Sequence, residues 1–236
     1  MPSGAMPSPW AVAASRLPEV FLSMPSMLRI RACLLLALLV AAPAFALEPV
    51  TLQLKWRNAF QFAGYYTALW KGYYRDAGFD VTIKEAEPGQ NVVDEVVSGR
   101  AQFGVGTSSL LLAWHGGKPV VVLGVIFQHS PYVVVARQDA GIGSIHDIVD
   151  KRLMLEPGSN ELLTYLHHYT QTRQWNTLPY EQGVQALLTG KVDAISAYSS
   201  TEPFALAQLN IPYRVFNPRD IGFDFYGDNL FTTESL

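Results

Sequence analysis

The chain has 236 residues, with 17 Lys and Arg against 20 Asp and Glu, a net charge of −3 at pH 7 and one cysteine. No basic stripe marks it for nucleic acid, and a single thiol excludes a disulfide framework. Nucleophile-elbow, zinc-protease, phosphate-loop and C-x-x-C patterns are absent, and the five histidines (His115, His129, His146, His167, His168) lack metal-ligand spacing.

The chain opens with a leader over residues 1–46. Arg29 and Arg31 precede an eleven-residue apolar run, 32–42, followed by Ala44-Phe45-Ala46. This order of charge, apolar core and small-residue cleavage site reads as a secretory signal. Its core is shorter than the roughly 20 residues a bilayer span needs. Met24 and Met27 are the starts this scheme favours. Cys33 precedes the apolar run, which excludes a lipoprotein reading, and it leaves with the leader. The remaining 190 residues carry 14 basic and 19 acidic side chains. They are enough for one large or two small lobes without disulfides.

From there strands and helices alternate, which argues for an α/β fold with mostly parallel sheets. Residues 50–55 read as a strand, 62–71 as a helix, 79–84 as a strand and 91–98 as a helix stopped at Gly99. A strand over 102–105, a helix over 107–114 capped by Thr107 and a buried strand over 119–127 follow. The segment 54–78 is dense in aromatics. On its helix Tyr65, Trp70 and Tyr73 are expected to pack inward. Trp56, Asn58, Phe60 and Gln61 lie in the loop beyond a strand end, where open α/β sheets place ligands.

Residues 97–105 (VSGRAQFGV) resemble 188–196 (LTGKVDAIS), with glycines at Gly99 and Gly190. One reading is two similar α/β lobes; the other is that helix–Gly–strand joints are common in this fold class. The division expected is a first lobe over 47–128, a hinge crossover over 129–131 including His129, a second lobe over 132–225 and a return crossover from 226. In the second lobe Ser144–Asp147 resembles a capping box, a strand covers 152–156, and a helix runs from Glu161 to about Thr170.

Two strand-end turns, Gly104-Val105-Gly106 followed by Thr107 and Ser108, and Pro157-Gly158-Ser159-Asn160, offer N–H and hydroxyl donors to a polar group. Their glycines equally suit tight turns alone. Tyr198 to Glu202 follow the second-lobe strand at 194–197. Glu202 either accepts from a ligand amine or ring N–H, or complements its own helix dipole.

Residues 54–58 (LKWRN), 68–74 (ALWKGYY), 77–81 (AGFDV), 98–104 (SGRAQFG), 117–120 (GKPV), 190–195 (GKVDAI) and 198–203 (YSSTEP) together resemble one family. It comprises the type 2 periplasmic solute-binding proteins of ABC transporters for aliphatic sulfonates, taurine and thiamine pyrimidines, and the fungal thiamine pyrimidine-precursor synthase. The resemblance implies a two-lobed type 2 periplasmic-binding-protein fold, a small-molecule ligand, an ABC permease as partner, a periplasmic location and no cofactor. It implies ligand contacts from Trp56 and Asn58, donors from Gly106, Thr107, Ser108, Gly158, Ser159 and Asn160, cover from Tyr198 and an acceptor in Glu202. The synthase's pyridoxal-phosphate lysine and its histidine align with Gly106 and Leu110, and its cysteine-rich motif has no counterpart, so synthase chemistry is not expected. The aromatic loop and Glu202 suit a heteroaromatic amine; Arg57 leaves a sulfonate open. Family chains cross back and finish on the first lobe, so the stop at Leu236 reads as truncation. Residues 55–74 and 198–203 also resemble ligand-sensing domains of membrane histidine kinases and cyclases, which is the alternative function.

Overall fold

Alternating apolar residues set the first strand, β1 (Glu48–Gln53), in which Val50 and Leu52 are buried. The computed structural model describes Met27 and residues 46–236, apart from Pro88, Arg173 and Gln182. The leader read from the sequence lies, Met27 and Ala46 excepted, outside the described residues. Residues Leu47–Leu236 form one compact unit. No helix among the described residues is long and apolar enough to cross a membrane.

Two five-stranded sheets organise this unit. The first contains β1, β2 (Phe79–Lys84), β3 (Phe103–Gly106), β4 (Val120–Phe127) and β10 (Gly227–Thr233), in the order β2-β1-β3-β10-β4. The second contains β5 (Tyr132–Arg137), β6 (Arg152–Met154), β7 (Asn176–Thr177), β8 (Ala194–Tyr198) and β9 (Tyr213–Phe216), in the order β7-β6-β8-β5-β9. In each, the first three strands of that order are parallel and the last two pair antiparallel. The chain therefore crosses twice, through 128–131 and back through 217–226. The crossovers touch each other: His129 Nδ1 lies 2.7 Å from Asp224 Oδ2, and the Ser130 N–H donates to the Phe225 carbonyl at 2.8 Å.

The helices are α1 (Ala63–Trp70), α2 (Tyr73–Asp76), α3 (Val92–Val97), α4 (Leu110–His115), α5 (Asn160–Thr170), α6 (Gly183–Leu188) and α7 (Glu202–Gln208). Helices α3 and α6 end at Gly99 and Gly190, whose φ values of 77° and 69° are left-handed. Three residues further on, Gln102 and Asp193 make the same clip. The Gln102 N–H donates to the Thr51 carbonyl while its side chain accepts the Thr51 N–H. The Asp193 N–H donates to the Arg152 carbonyl while its carboxylate accepts the Arg152 N–H. The two similar sequence segments thus fold into the same joint, one in each sheet.

Four local expectations are corrected. The 107–114 helix begins only at Leu110, and Thr107 is not its cap. Successive hydroxyl residues close a turn instead, with Thr107 Oγ1 accepting the Ser109 N–H at 3.2 Å. The 152–156 strand stops at Met154, because the Glu156 N–H goes to Ser196 Oγ at 2.7 Å. Strand β4 is an edge strand with Val122, Leu123 and Ile126 exposed, not a buried one. Trp70 and Tyr73 are exposed, since α1 meets the first sheet's core through Tyr65 and Tyr66 instead. The strongly apolar β5 and β8 do lie buried side by side, as strands covered on both faces require.

Candidate functional site

The clip at Gln102 and Asp193 makes Thr51 and Arg152 counterparts, and four residues beyond them stand Lys55 and Glu156. Both leave a strand end toward the space between the sheets. Lys55 Nζ lies 3.1 Å from Asp228 Oδ1, with the two side chains only 9% and 2% exposed. It also donates to the Tyr198 hydroxyl, which in turn donates to Asp228 Oδ1 at 2.7 Å. The ammonium sits 4.5 Å from the Tyr198 ring centroid and 5.1 Å from that of Tyr132, and those two rings meet edge to face. The Tyr132 hydroxyl donates to Glu156 Oε2 at 2.5 Å. One continuous polar chain, Asp228–Lys55–Tyr198 with Tyr132–Glu156 beside it, joins the lobes.

Burial governs the protonation of these groups. Desolvation first, then the Asp228 charge, pushes the Tyr198 hydroxyl far up; desolvation and Glu156 do the same to Tyr132. Both stay protonated donors. The Glu156 carboxyl is also raised by burial, against the pull of Lys55, and Glu202 is raised by burial against the N–H of Tyr198 that it accepts at 2.8 Å. Four buried side-chain acceptors or donors have no hydrogen-bond partner among the described residues: Gln61 Oε1, the Tyr65 hydroxyl, Asp228 Oδ2 and Trp175 Nε1.

Three hollows meet at Trp56. One of about 400 Å³ is lined from the first lobe by Lys55, Gly106 and Thr107 and from the second by Tyr132, Glu156 and Asn160. One of about 760 Å³ lies beyond, lined among others by Arg57, Tyr180, Lys191 and Glu202. A third, of about 40 Å³, includes Gln61, Tyr198 and Glu202. Trp56 closes on Tyr180 across the lobes, edge to face at 5.3 Å.

Of the residues singled out from the sequence, Trp56, Gln61, Gly106, Thr107, Gly158, Asn160, Tyr198 and Glu202 line these hollows. The other five do not. Asn58 is exposed and accepts from the Tyr66 hydroxyl; Phe60 is 90% exposed. Ser108 donates to the Tyr226 carbonyl at 2.6 Å, and buried Ser159 to the Glu156 carbonyl at 2.6 Å, so each serves its own turn or crossover. His129 pairs with Asp224 between the crossovers. Sequence reasoning passed over Lys55, Tyr132, Glu156, Tyr180 and Asp228. The available signal was position: Lys55 and Glu156 each follow a strand end by two residues.

Among the described residues no group of three or more His, Cys, Asp or Glu side chains is placed to hold a metal ion. A Cβ added at Gly106 would come within 2.9 Å of Leu110 Cγ and Cδ1, so a lysine bearing pyridoxal phosphate does not fit there without displacing buried Leu110.

Comparison with known proteins agrees with this architecture. The riboflavin-binding protein RibY of Chloroflexus aurantiacus is 26% identical over 209 residues, 83% of this chain. The chain spans 59% of the length of RibY. Among solved structures, the periplasmic aliphatic sulphonate-binding protein SsuA of Escherichia coli superposes with a TM-score of 0.58 at 16% identity, covering 80% of this chain and 62% of SsuA. The alkanesulfonate-binding SsuA of Xanthomonas axonopodis pv. citri, bound to MOPS, gives 0.61 at 17% identity, covering 80% and 68%. These likenesses show the two-lobed type 2 periplasmic-binding-protein fold. The family model described as NMT1/THI5 like matches residues 59–236, which take in the second sheet, the first sheet except β1 and most of the cleft lining, and the chain belongs to that family.

Proposed function

We propose that this protein captures a small, flat, heteroaromatic solute between its lobes and delivers it to an ABC permease in the periplasm, without converting it. The observation that carries this reading is the cleft itself, lined from both lobes and flanked by Trp56, Tyr180 and Tyr132. Such a site encloses a planar ring between aromatic walls, and Glu156 and Glu202 offer acceptors for its N–H groups. Trp56, Gln61, Gly106, Thr107, Gly158, Asn160, Tyr198 and Glu202 are the residues we assign to the ligand. The relatives' names, riboflavin for RibY and sulfonates for SsuA, support solute capture and bracket the ligand chemistry. A thiamine-type pyrimidine amine fits the acceptor-rich walls better than a sulfonate does.

A solute held only by the folded state raises stability by mass action, about 2.7 kcal/mol at a hundredfold excess over Kd. The test is a thermal-shift panel of aminopyrimidines, flavins, alkanesulfonates and taurine, with mass spectrometry of molecules that co-purify. A rise in Tm with an aromatic member supports the reading. No shift with any member, or consumption of the solute, rejects it.

A further inference from the structure

The donor-rich turn after β3 is already met by an anion, and that anion belongs to the protein. Glu161, in the first turn of α5 on the second lobe, is 9% exposed and accepts the Ser109 N–H of the first lobe at 3.0 Å through Oε1. The same serine is gripped further: its hydroxyl donates to the Gly158 carbonyl at 3.2 Å and accepts from Asn160 Nδ2 at 3.1 Å. We propose that Glu161 is a specificity residue that occupies the first lobe's anion-accepting N–H and so bars sulfonates and carboxylates from the cleft. This deepens the heteroaromatic reading above and rests on it.

Two features beyond Glu161 point the same way. The cations lining the 400 Å³ hollow are both committed, Lys55 to buried Asp228 and Lys118 to Asp94 at 2.5 Å. Carboxylates of the second lobe stand on the walls as well, Glu156 accepting the Tyr132 hydroxyl and Glu202 the Tyr198 N–H. An entering anion would have to displace a carboxylate from its donor and then sit beside it. Juxtaposed like charges discriminate against the wrong ligand. A neutral ring bearing N–H groups meets no such opposition.

The full-length protein, titrated calorimetrically with ethanesulfonate and with 4-aminopyrimidine, tests this. Glu161→Ala removes the charged acceptor and leaves the Ser109 N–H only its 3.2 Å contact with Thr107 Oγ1, so it should raise affinity for ethanesulfonate about tenfold or more, corresponding to about 1.4 kcal/mol. Glu161→Gln, which keeps an acceptor and removes the charge, should give a smaller rise. If Glu161 only latched the lobes together, both probes would change in step; barring an anion shows in the ratio of the two affinities. An unchanged ratio in both variants, or wild-type binding of ethanesulfonate as tight as that of Glu161→Ala, overturns the proposal. A wild type that takes neither probe while Glu161→Ala takes ethanesulfonate supports Glu161 and counts against the heteroaromatic reading. One that takes 4-aminopyrimidine while the variants gain nothing counts the other way.

Discussion

Lys55 and Asp228 come from opposite ends of the chain and meet at 3.1 Å where almost no solvent reaches them. The second crossover must deliver Asp228 to this point, and its backbone does so at φ 33°, a left-handed value that a non-glycine residue holds only under constraint. A buried pair of this kind adds little net stability over an apolar pair, but breaking it strands a charge. Lys55→Met should therefore cost about 3–5 kcal/mol in denaturant unfolding. Lys55→Met with Asp228→Leu should recover most of that loss. A single-variant cost under about 1 kcal/mol would mean that water reaches Asp228.

Gly104 offers a test of the return strand. A Cβ on Gly104 would come within 2.5 Å of Phe231 Cε1, and Phe231 of β10 is fully buried. Gly104→Ala should overpack this contact and cost about 1–3 kcal/mol. Gly124 in β4 has nothing within 4 Å of the same position. Gly124→Ala should be neutral or stabilise by up to about 1 kcal/mol, because alanine loses less backbone entropy on folding. Equal unfolding midpoints for the two variants would show that β10 is not seated against β3.

The fold class was legible because strong local signals agreed. Alternation in β1, a continuous apolar run in β5, and glycine stops at Gly99 and Gly190 each reported a local geometry. Half of the site was legible for the same reason: strand-end turns carry Gly106 and Gly158. What the sequence concealed was pairing across long separations. Asp228 lies 173 positions after Lys55, and no local pattern marks a carboxylate that will neutralise a distant lysine. Phe60 and Asn58 misled because an aromatic loop beside a strand end looks the same whether its side chains face the cleft or solvent. Trp70 misled because helix α1 is apolar on all sides, leaving no period from which to choose its inner face.

Trp56 and Tyr180 should be coupled to each other and to the ligand. Their edge-to-face contact bridges the lobes, and such pairs contribute about 0.5–1.5 kcal/mol beyond burial. Trp56→Ala should weaken binding of an aromatic solute by about tenfold or more, whereas Trp56→Phe should retain most of it. A double-mutant cycle with Tyr180→Ala, read as affinity, should return a coupling of about 0.5–1.5 kcal/mol. Full additivity would separate the two rings functionally.

Acid titration should distinguish the cleft carboxylates from those on the surface. Burial raises Glu156 and Glu202 above the ordinary glutamate value of 4.5. Between 4.5 and the raised native value, the folded protein holds protons that the unfolded chain has released. Each group therefore lowers stability as pH rises through that window, and its full penalty persists at neutral pH. Asp193 and Asp147 act in the opposite sense. The Arg152 side chain holds Asp193 low, and the backbone N–H groups of Ser144 and Gly143 hold Asp147 low, so their contributions are lost on acidification. The wild-type curve mixes both signs, but the difference from a single variant isolates one group. Glu202→Gln should unfold at higher denaturant than wild type at pH 7, with the gain shrinking as pH falls from the raised native value toward 4.5 and vanishing below it, where the wild-type carboxyl is neutral too. Glu156→Gln should show the same trend with a smaller gain, because the glutamine loses the attraction of Lys55 that partly offsets burial. A gain that grows on acidification, or a loss at pH 7 for Glu202→Gln, would mean that these carboxylates are stabilised as anions and that the cleft is more hydrated than its burial indicates.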